Sequence, residues 1–272
     1  MAHRDVSRRR FLAGTAAAAA ELGLLAFGGS AAARSLRVPT PTIPAITPRH
    51  ALKRLLPPLP RWIHNGPTDK ARMALSIDDM WGAFGADNAN AAMDVAKAKN
   101  VKLTFFPTGG AIEQHIALGR QDTWRRALAE GHEIGNHTYT HSNLTTLTDD
   151  QIRYEMQHTK DLLAQCLGSS VPYTMRLMRP PGGAGGFVNG GDPRIMKVIG
   201  SFGYSMTMWT IDGNGTKGTA AFANKILNNA TNGTIVLIHF TEFTPDGLPN
   251  LIDTLRNNKH LEPTNVSGLF TP

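Results

Sequence analysis

The chain has 272 residues, of which 41% are hydrophobic and 18% are charged, a composition that indicates a folded globular protein and excludes an intrinsically disordered one. Its one cysteine, Cys166, excludes an internal disulfide and a cysteine-based zinc cluster, so any metal must be held by His, Asp or Glu. The formal net charge is +7, but no run of Lys and Arg alternates with aromatic residues, so we expect no nucleic-acid partner.

The first 33 residues have the pattern of an export signal. Residues 7–12 are Ser-Arg-Arg-Arg-Phe-Leu and resemble the twin-arginine motif, an apolar stretch covers residues 13–27, and alanines occupy 31–33. The alternative is a membrane anchor, but the apolar stretch is shorter than the ~20 residues that a spanning helix needs. We predict a twin-arginine-type signal peptide at 1–33, an extracellular or cell-envelope location, and no stable membrane span after cleavage.

A proline-rich arm is predicted at residues 34–71. Eight prolines fall between Val38 and Pro67, and no hydrophobic period persists there. Trp62 and Ile63 are apolar enough to dock on the body of the protein, which we place at residues 72–272.

From residue 72 onward, short apolar segments alternate with helical ones. The predicted strands are residues 73–77, 101–106, 133–136, 176–178, 204–209, 235–238 and 266–270. The predicted helices are residues 86–99, 123–130, 148–167, 192–202, 220–229 and 248–258. A capping box of Thr148 and Gln151 opens the third of these helices, and Gly168 ends it. This alternation predicts an α/β fold with a parallel sheet or barrel.

Polar side chains follow five of these strands. In chain order they are Asp78 with Asp79, the segment 137–141, Arg179, Asp212 and His239. Active sites of such folds lie at the carboxyl ends of the strands, so we expect these side chains to converge.

Three of these residues form a candidate metal site. Asp79, His137 and His141 offer one oxygen and two nitrogens to a divalent cation and leave positions open for water and substrate. The His-x-x-x-His spacing alone is weak evidence, since such pairs are more often structural or exposed. Residues 137–141 lie between a strand and a capped helix, so we expect them to form a loop or a single turn.

The same segments resemble those of a known family. The chain is identified as a member of the polysaccharide deacetylases of the NodB-homology type, carbohydrate esterase family 4, over about residues 73–270. Residues 131–141 (Gly-His-Glu-Ile-Gly-Asn-His-Thr-Tyr-Thr-His) match its second motif closely. The other four motifs are matched by Asp78-Asp79, by Arg179-Pro180-Pro181, by Asp212, and by residues 235–239 (Ile-Val-Leu-Ile-His). The resemblance implies a distorted (β/α) barrel with outer helices, with the catalytic domain at 72–272.

The resemblance also implies roles for the site residues. Asp79, His137 and His141 would bind a divalent metal, usually Zn²⁺, with Co²⁺ as an alternative. Asp78 would be the general base and His239 the general acid. Arg179 would hold Asp78 in place, and Asp212 would pair with His239.

Three residues are expected to bind the substrate. By the resemblance, the Gly182 N–H would meet the developing oxyanion and Leu237 would line the pocket for the acetyl methyl group. Trp81 departs from the glycine that is usual after the Asp pair; it would stack on a sugar face or plug the groove. Thr216 replaces a usual Trp and Phe240 a usual Asp, and these departures all touch the substrate groove.

The expected function is a metal-dependent hydrolase that removes N-acetyl groups from a carbohydrate polymer, peptidoglycan or a chitin-like glycan. An O-acetyl esterase acting on acetylated xylan and a non-catalytic glycan-binding protein on the same scaffold are the alternatives. We expect a monomer whose partner is the acetylated polysaccharide. Of the other histidines, His132 is expected to brace its strand, and His115, His158 and His260 to lie at the surface.

Overall fold

The structure is a computed structural model that describes residues 58–169, 171–213 and 215–272. The predicted signal peptide at 1–33 and residues 34–57 of the predicted arm lie outside these ranges. Of the helices within them, none has the length and apolar character needed to cross a membrane.

Within the described residues, eight short strands form the centre of the protein, and they pair only in parallel. They are β1 (Trp62–Ile63), β2 (Arg72–Asp79), β3 (Thr104–Pro107), β4 (Glu133–Ile134), β5 (Leu177–Met178), β6 (Ser205–Thr207), β7 (Ile235–Ile238) and β8 (Glu262–Thr264). Residues 73–77 of β2 are completely buried. The one polar residue among them, Ser76, donates a hydrogen bond to the Val236 carbonyl at 2.6 Å, which satisfies its hydroxyl inside the sheet.

The strands close into a distorted barrel. One sheet has the order β4-β3-β2-β7, with β8 also beside β2, and the other has the order β1-β6-β5. Two isolated bridges join the sheets, from Asn136 to Met178 and from Ile211 to Val236. The ring therefore runs β2-β3-β4-β5-β6-β7, and two of its joints are single bridges. The predicted α/β barrel with parallel strands is confirmed.

Seven helices of the described residues surround this barrel. They are α1 (Gly82–Ala98), α2 (Gly109–Ala117), α3 (Asp122–Ala129), α4 (Asp149–Leu167), α5 (Pro193–Ser201), α6 (Thr219–Asn229) and α7 (Leu248–Lys259). The predicted capping box opens α4, with the Thr148 hydroxyl accepting from the Gln151 N–H at 3.3 Å and the Gln151 side chain accepting from the Thr148 N–H at 2.8 Å. Gly168 follows α4 with φ 71°, a backbone conformation that favours glycine.

Four elements differ from the sequence predictions, and two of them, β1 and β8, are strands that were not predicted. Helix α2 was not predicted, because two glycines stand at its start; the Thr108 hydroxyl caps it by accepting from the Ala111 N–H at 3.1 Å. The strand predicted at 266–270 is wrong, since Ser267–Phe270 is a 3-10 turn and β8 precedes it. Val266 and Leu269 are both buried, and a spacing of three residues fits a turn rather than a strand.

Part of the predicted arm contributes to the barrel. β1 pairs with β6, Ile63 is 1% exposed, and the Trp62 indole N–H donates to the Gly186 carbonyl at 2.9 Å. The expectation that Trp62 and Ile63 dock on the body is confirmed.

Candidate active site

Two adjacent carboxylates stand where β2 ends, and they face different surroundings. The Asp78 side chain is buried, whereas Asp79 is partly exposed. Asp79 and Met80 have φ values of 72° and 58°, in the left-handed region that non-glycine residues rarely adopt. Such strain persists only where the surroundings enforce it, and it is concentrated at functional sites. Here it turns the chain sharply after the strand.

The segment 137–141 is a loop, as predicted, and buried polar groups hold it. The Asn136 side chain accepts from the Thr138 N–H at 2.9 Å. The Glu155 carboxylate, on α4, accepts from the N–H groups of Tyr139 and Thr140, both at 2.7 Å. Thr138 also has a positive φ, at 63°. The loop conformation therefore depends on side chains from outside the loop.

This loop brings both histidines to Asp79. The Asp79 Oδ1 atom lies 3.5 Å from His137 Nε2 and 3.3 Å from His141 Nε2. A tetrahedral cation with ligand bonds of about 2.0–2.1 Å separates its ligand atoms by roughly 3.3–3.4 Å. The three ligand atoms lie within 4.8 Å of one another, and Asp79 Oδ1 is buried without a hydrogen-bond partner. The donor set and its spacing thus fit a divalent cation such as Zn²⁺.

His137 is oriented as a metal ligand requires. Its Nδ1 lies 2.7 Å from the Arg179 carbonyl oxygen, which can only accept, so Nδ1 carries the proton and Nε2 keeps its lone pair. Burial lowers the pKa of His137, although Asp78 and Asp79 oppose this effect. The neutral imidazole, which is the form that binds metals, is thereby favoured.

Asp78 forms a buried ion pair with Arg179. The Arg179 guanidinium donates to Asp78 Oδ1 at 2.6 Å and to the carbonyls of Thr207 and Met208 at 3.3 and 3.2 Å, and it lies 4.3 Å from the Phe106 ring centroid. Burial lowers the pKa of Arg179, and Asp78 raises it. The second carboxylate oxygen, Oδ2, lies 3.6 Å from His137 Nε2. One oxygen of Asp78 is therefore anchored, and the other faces the candidate metal position.

His239 approaches the same place from the end of β7. Its Nε2 lies 3.8 Å from Asp79 Oδ2, and its Nδ1 lies 3.2 Å from Glu242 Oε2. The expected pairing of His239 with Asp212 needs correction. Asp212 accepts from the Trp209 indole N–H at 3.0 Å and lies 3.4 Å from Lys225 Nζ. Glu242 follows His239 by three residues in the same turn, and it provides the carboxylate at Nδ1.

A cavity of about 280 Å³ opens over these groups. Its lining includes the predicted substrate residues Gly182 and Leu237, together with Asp212. Trp81 does not line this cavity; it lines a smaller one of about 100 Å³ with Asp79 and His239 and is 40% exposed. Gly182 and Leu237 thus line the cavity over the candidate metal ligands, and Trp81 lines a separate cavity next to Asp79.

Comparison with known proteins identifies the family of this chain. A family model described as polysaccharide deacetylase matches residues 65–207, more than half of the chain. The chain belongs to the polysaccharide deacetylase family. The matched range begins within the predicted arm and ends with β6, so it includes Asp78, Asp79, the 137–141 loop and Arg179, while His239 lies beyond it.

The similar proteins are 24–30% identical to this chain over the residues that align. A peptidoglycan-N-acetylglucosamine deacetylase of Bacillus cereus is 30% identical over 71% of this chain and 66% of its own length. A peptidoglycan-N-acetylglucosamine deacetylase of Listeria monocytogenes is also 30% identical, over 62% of this chain and 32% of its own length. The chain therefore spans less than two thirds of each of these two relatives.

Solved structures of the family superpose on this fold. The Bc1960 peptidoglycan N-acetylglucosamine deacetylase, in complex with a hydroxamate-type benzamide, is 26% identical with a TM-score of 0.64, covering 77% of this chain and 92% of its own. A mutant of a CE4 family pseudoenzyme, with restored enzymatic activity, is 26% identical with a TM-score of 0.65, covering 77% of this chain and 71% of its own. The family fold is thus found both in enzymes and in a protein described as a pseudoenzyme.

Three residues near the site were missed by the reading of the family motifs. Glu155 holds the ligand loop, Glu242 contacts His239, and Phe187 is a 63% exposed aromatic that lines the cavity. Glu155 is a charged residue in the first turns of α4, where the sequence alone suggests an exposed side chain. Phe187 lies in a glycine-rich segment. None of the family motifs contains these residues.

Two predictions about the remaining histidines had different outcomes. His132 braces its strand as expected, since its Nδ1 accepts from the Leu103 N–H at 3.0 Å. The surface position expected for His115 is wrong: it is completely buried, stacks on Trp124 and hydrogen-bonds to the Gly82 carbonyl. Its burial follows from the unpredicted helix α2, which carries it.

Proposed function

We propose that this protein is a metal-dependent hydrolase that removes N-acetyl groups from a carbohydrate polymer, either peptidoglycan or a chitin-like glycan. The observation that carries the proposal is the convergence of five side chains. Asp79, His137 and His141 surround one point, with Asp78 on one side of it and His239 on the other.

The residues that would hold the cation are Asp79, His137 and His141. When bound, a divalent cation supplies a Lewis acid that polarises the acetyl carbonyl and makes water a strong nucleophile at neutral pH. The protein's own contribution to this chemistry is to hold the three ligands in place before binding, through Glu155 and the Arg179 carbonyl.

Asp78 and His239 divide the proton transfers between them. Asp78 accepts the proton of the attacking water through Oδ2, because Oδ1 is engaged by Arg179. His239 donates a proton from Nε2 to the leaving nitrogen as the carbon–nitrogen bond breaks. The products are acetate and a free amine on the sugar. The Gly182 N–H, at the cavity wall, supports the oxyanion, a contribution worth about 2.7–4 kcal/mol for one such donor.

The shape of the surface supports an extended substrate. Cavities of about 550 and 440 Å³ flank the central one and share Phe187 with it. The second also contains His64 and Trp209, and Phe187 meets Trp209 edge to face with ring centroids 5.4 Å apart. Exposed aromatic faces are suited to stacking on sugar rings. Two relatives are named peptidoglycan-N-acetylglucosamine deacetylase and chitooligosaccharide deacetylase, and these names support an N-acetylated glycan as the substrate.

The decisive experiment compares acetate release from peptidoglycan, chitin oligomers and acetylated xylan with the purified protein. We expect release from an N-acetylated polymer, its loss on addition of a chelator, and its return with Zn²⁺ or Co²⁺. Unchanged release in the presence of chelator would contradict the metal mechanism. Release from acetylated xylan alone would make the protein an O-acetyl esterase.

A second candidate is a non-catalytic glycan-binding protein, which the pseudoenzyme among the structural neighbours makes a concrete alternative. Asp78→Asn and His239→Ala separate the two. A hydrolase loses acetate release with either change, whereas a binding protein keeps its affinity for glycan and releases no acetate before or after the change.

The predicted export signal and monomeric state accompany this proposal. An exported enzyme meets cell-wall polymer directly, which agrees with a peptidoglycan substrate. Fractionation of cells that produce the full-length chain, and light scattering of the purified protein, test the two predictions.

A further inference from the structure

The carboxylate expected to assist His239 is engaged elsewhere. Asp212 accepts a hydrogen bond from the Trp209 indole at 3.0 Å and lies 3.4 Å from Lys225 Nζ. Its side chain is thereby tied to β6's end and to α6 rather than to β7. The Nδ1 atom of His239 is instead 3.2 Å from Glu242 Oε2.

We propose that Glu242 is the positioning residue of the general acid His239, in the place of Asp212. This inference rests on the proposed function, because it assigns Glu242 a role in the same site. By accepting the Nδ1–H of His239, the Glu242 carboxylate fixes the ring orientation and leaves Nε2 facing the reacting groups.

The backbone holds Glu242 at this position. The N–H groups of Glu242 and Phe243 both donate to the His239 carbonyl, at 3.1 and 3.0 Å. This tight turn fixes the spacing of three residues between the ring and the carboxylate. Phe243 is 1% exposed and packs edge to face on Phe222, so the turn is anchored in the core.

A neighbouring glycine leaves room for the carboxylate. A Cβ atom added at Gly213 would lie 2.1 Å from Glu242 Oε2 and 2.8 Å from its Cδ. The backbone of Gly213 is not in the left-handed region, so an alanine there would be opposed by the Glu242 side chain, which would have to move, and not by its own backbone conformation. Gly213 follows Asp212 directly. The space that its missing side chain leaves is filled by the carboxylate of Glu242.

The orientation has a chemical consequence at Nε2. A neutral imidazole has one N–H, and a carboxylate at Nδ1 selects the tautomer in which Nδ1 carries it. Nε2, which is 3.8 Å from Asp79 Oδ2, is then the nitrogen that takes up the second proton, which forms the imidazolium, and donates that proton to the leaving nitrogen. Without Glu242 the ring is free to rotate and to populate the other tautomer. General acid–base groups contribute about 10²–10⁴-fold to rate, which bounds the effect of misplacing one.

The kinetic test uses the full-length protein loaded with Zn²⁺ and the best polymer found above. We expect Glu242→Leu to lower kcat about 10- to 100-fold with KM unchanged, and Glu242→Gln, which keeps an acceptor, to lower it less. In a His239→Ala background, Glu242→Leu should have no further effect, whereas Asp212→Asn should change kcat equally in both backgrounds. The matched control is Glu262→Leu, which removes an exposed carboxylate paired with Arg256 far from the site and should leave kcat unchanged.

Gly213→Ala provides an independent perturbation. We expect it to displace Glu242 and to lower kcat as Glu242→Leu does, and to have no further effect in the Glu242→Leu background. Additive effects of the two changes, or non-additivity of Asp212→Asn with His239→Ala, would overturn the proposal.

A measurement that needs no substrate separates this inference from the proposed function. The ¹⁵N chemical shifts of the His239 ring report which nitrogen carries the proton. We expect the Nδ1–H tautomer in the wild-type protein and in Asp212→Asn, and a mixture in Glu242→Leu. An unchanged tautomer in Glu242→Leu overturns the role of Glu242, even if the deacetylase activity is real. Loss of the tautomer in Glu242→Leu without any acetate release from the wild type would instead show that the proposed function fails while the contact stands.

Discussion

The two sides of the candidate metal position are built differently. On the side of the base, the Asp78 and Arg179 side chains are 1% and 0% exposed, and the Arg179 guanidinium makes three hydrogen bonds to groups in β2, in β6 and directly after β6. On the side of the acid, the His239 and Glu242 side chains are 30% and 26% exposed and belong to one turn. The base side is fixed by the barrel, whereas the acid side is fixed by loops.

From this difference we infer that the base side serves the reaction and that the acid side serves substrate selection. A buried ion pair in a barrel wall keeps its geometry when surface loops change, because each charged group is satisfied by several partners. The acid side also forms the groove wall, where Trp209 and Phe187 lie and where the sequence departs from the family. We infer that the base and the ligands are the fixed part of the proposed chemistry, and that the loops around His239 are the part that can differ with the polymer.

The largest effect that tests this comparison is the loss of the buried guanidinium of Arg179. Arg179→Met leaves the Asp78 carboxylate in the interior without its partner, and breaking a buried pair costs about 3–5 kcal/mol. We expect the free energy of unfolding, measured by urea denaturation at pH 7, to fall by that amount. A fall below about 1 kcal/mol would mean that water reaches Asp78, and the base side would then not be the rigid one.

The sequence was sufficient for the base side because its signals are local. An apolar run that ends in two aspartates predicts a buried strand with carboxylates at its end, and β2 extends the predicted strand only by residues at its ends. Arg179 likewise follows β5 directly, and His137 lies three residues after the end of β4. The parallel barrel then brings these strand ends together, so that the position of each residue follows from its strand.

The acid side could not be predicted in the same way. The Nδ1 atom of His239 can be reached by Glu242, from the turn that follows it, or by Asp212, from the loop after β6. The family motif suggested Asp212. Glu155 was missed for a related reason: it is a glutamate in an amphipathic helix, and only the fold shows that it points inward to backbone N–H groups of another segment. Contacts between a loop and a distant side chain produce no periodic pattern in the sequence, so they cannot be predicted from it.

The next effect concerns the loop that carries two of the ligands. Glu155→Gln replaces an oxygen that accepts from two backbone N–H groups with a side chain that also presents N–H donors to them. We expect the affinity for Zn²⁺, measured by calorimetry, to fall about 10- to 100-fold, as for other residues that orient ligands. Glu113→Gln is the matched control, because Glu113 contacts the Tyr139 hydroxyl of the same loop from the exposed side. Equal losses in the two variants would contradict a specific role for Glu155.

A buried histidine away from the site predicts how the stability of the fold depends on pH. The pKa of His132 is lowered from the ordinary 6.5 to about 4, mainly by burial and also by the charges of Lys102 and Arg126, while Glu130 opposes the shift. The unfolded chain therefore binds a proton that the folded chain does not between pH 6.5 and pH 4, and stability falls as the pH falls through this window.

His132→Asn tests this contribution while keeping an acceptor for the Leu103 N–H. From pH 7 to pH 5 the wild-type protein should lose about 2 kcal/mol more of its free energy of unfolding than the variant. Urea denaturation of both proteins at the two pH values measures the difference. Parallel pH dependences in the two proteins would show that His132 is protonated in the folded state.

The smallest expected effect is the counterpart of the first, on the acid side. Lys225 and Asp212 form an ion pair at 3.4 Å with side chains that are 36% and 24% exposed. Partly solvated pairs of this kind contribute about 0–1 kcal/mol. Lys225→Met should therefore change the free energy of unfolding by less than about 1 kcal/mol, in the same urea assay that shows the loss for Arg179→Met. A loss of free energy of unfolding near 3 kcal/mol would show that the acid side is as rigidly held as the base side. The groove wall would then be part of the fixed frame of the barrel, and polymer selection would have to come from Trp81 and the glycine-rich segment that carries Phe187.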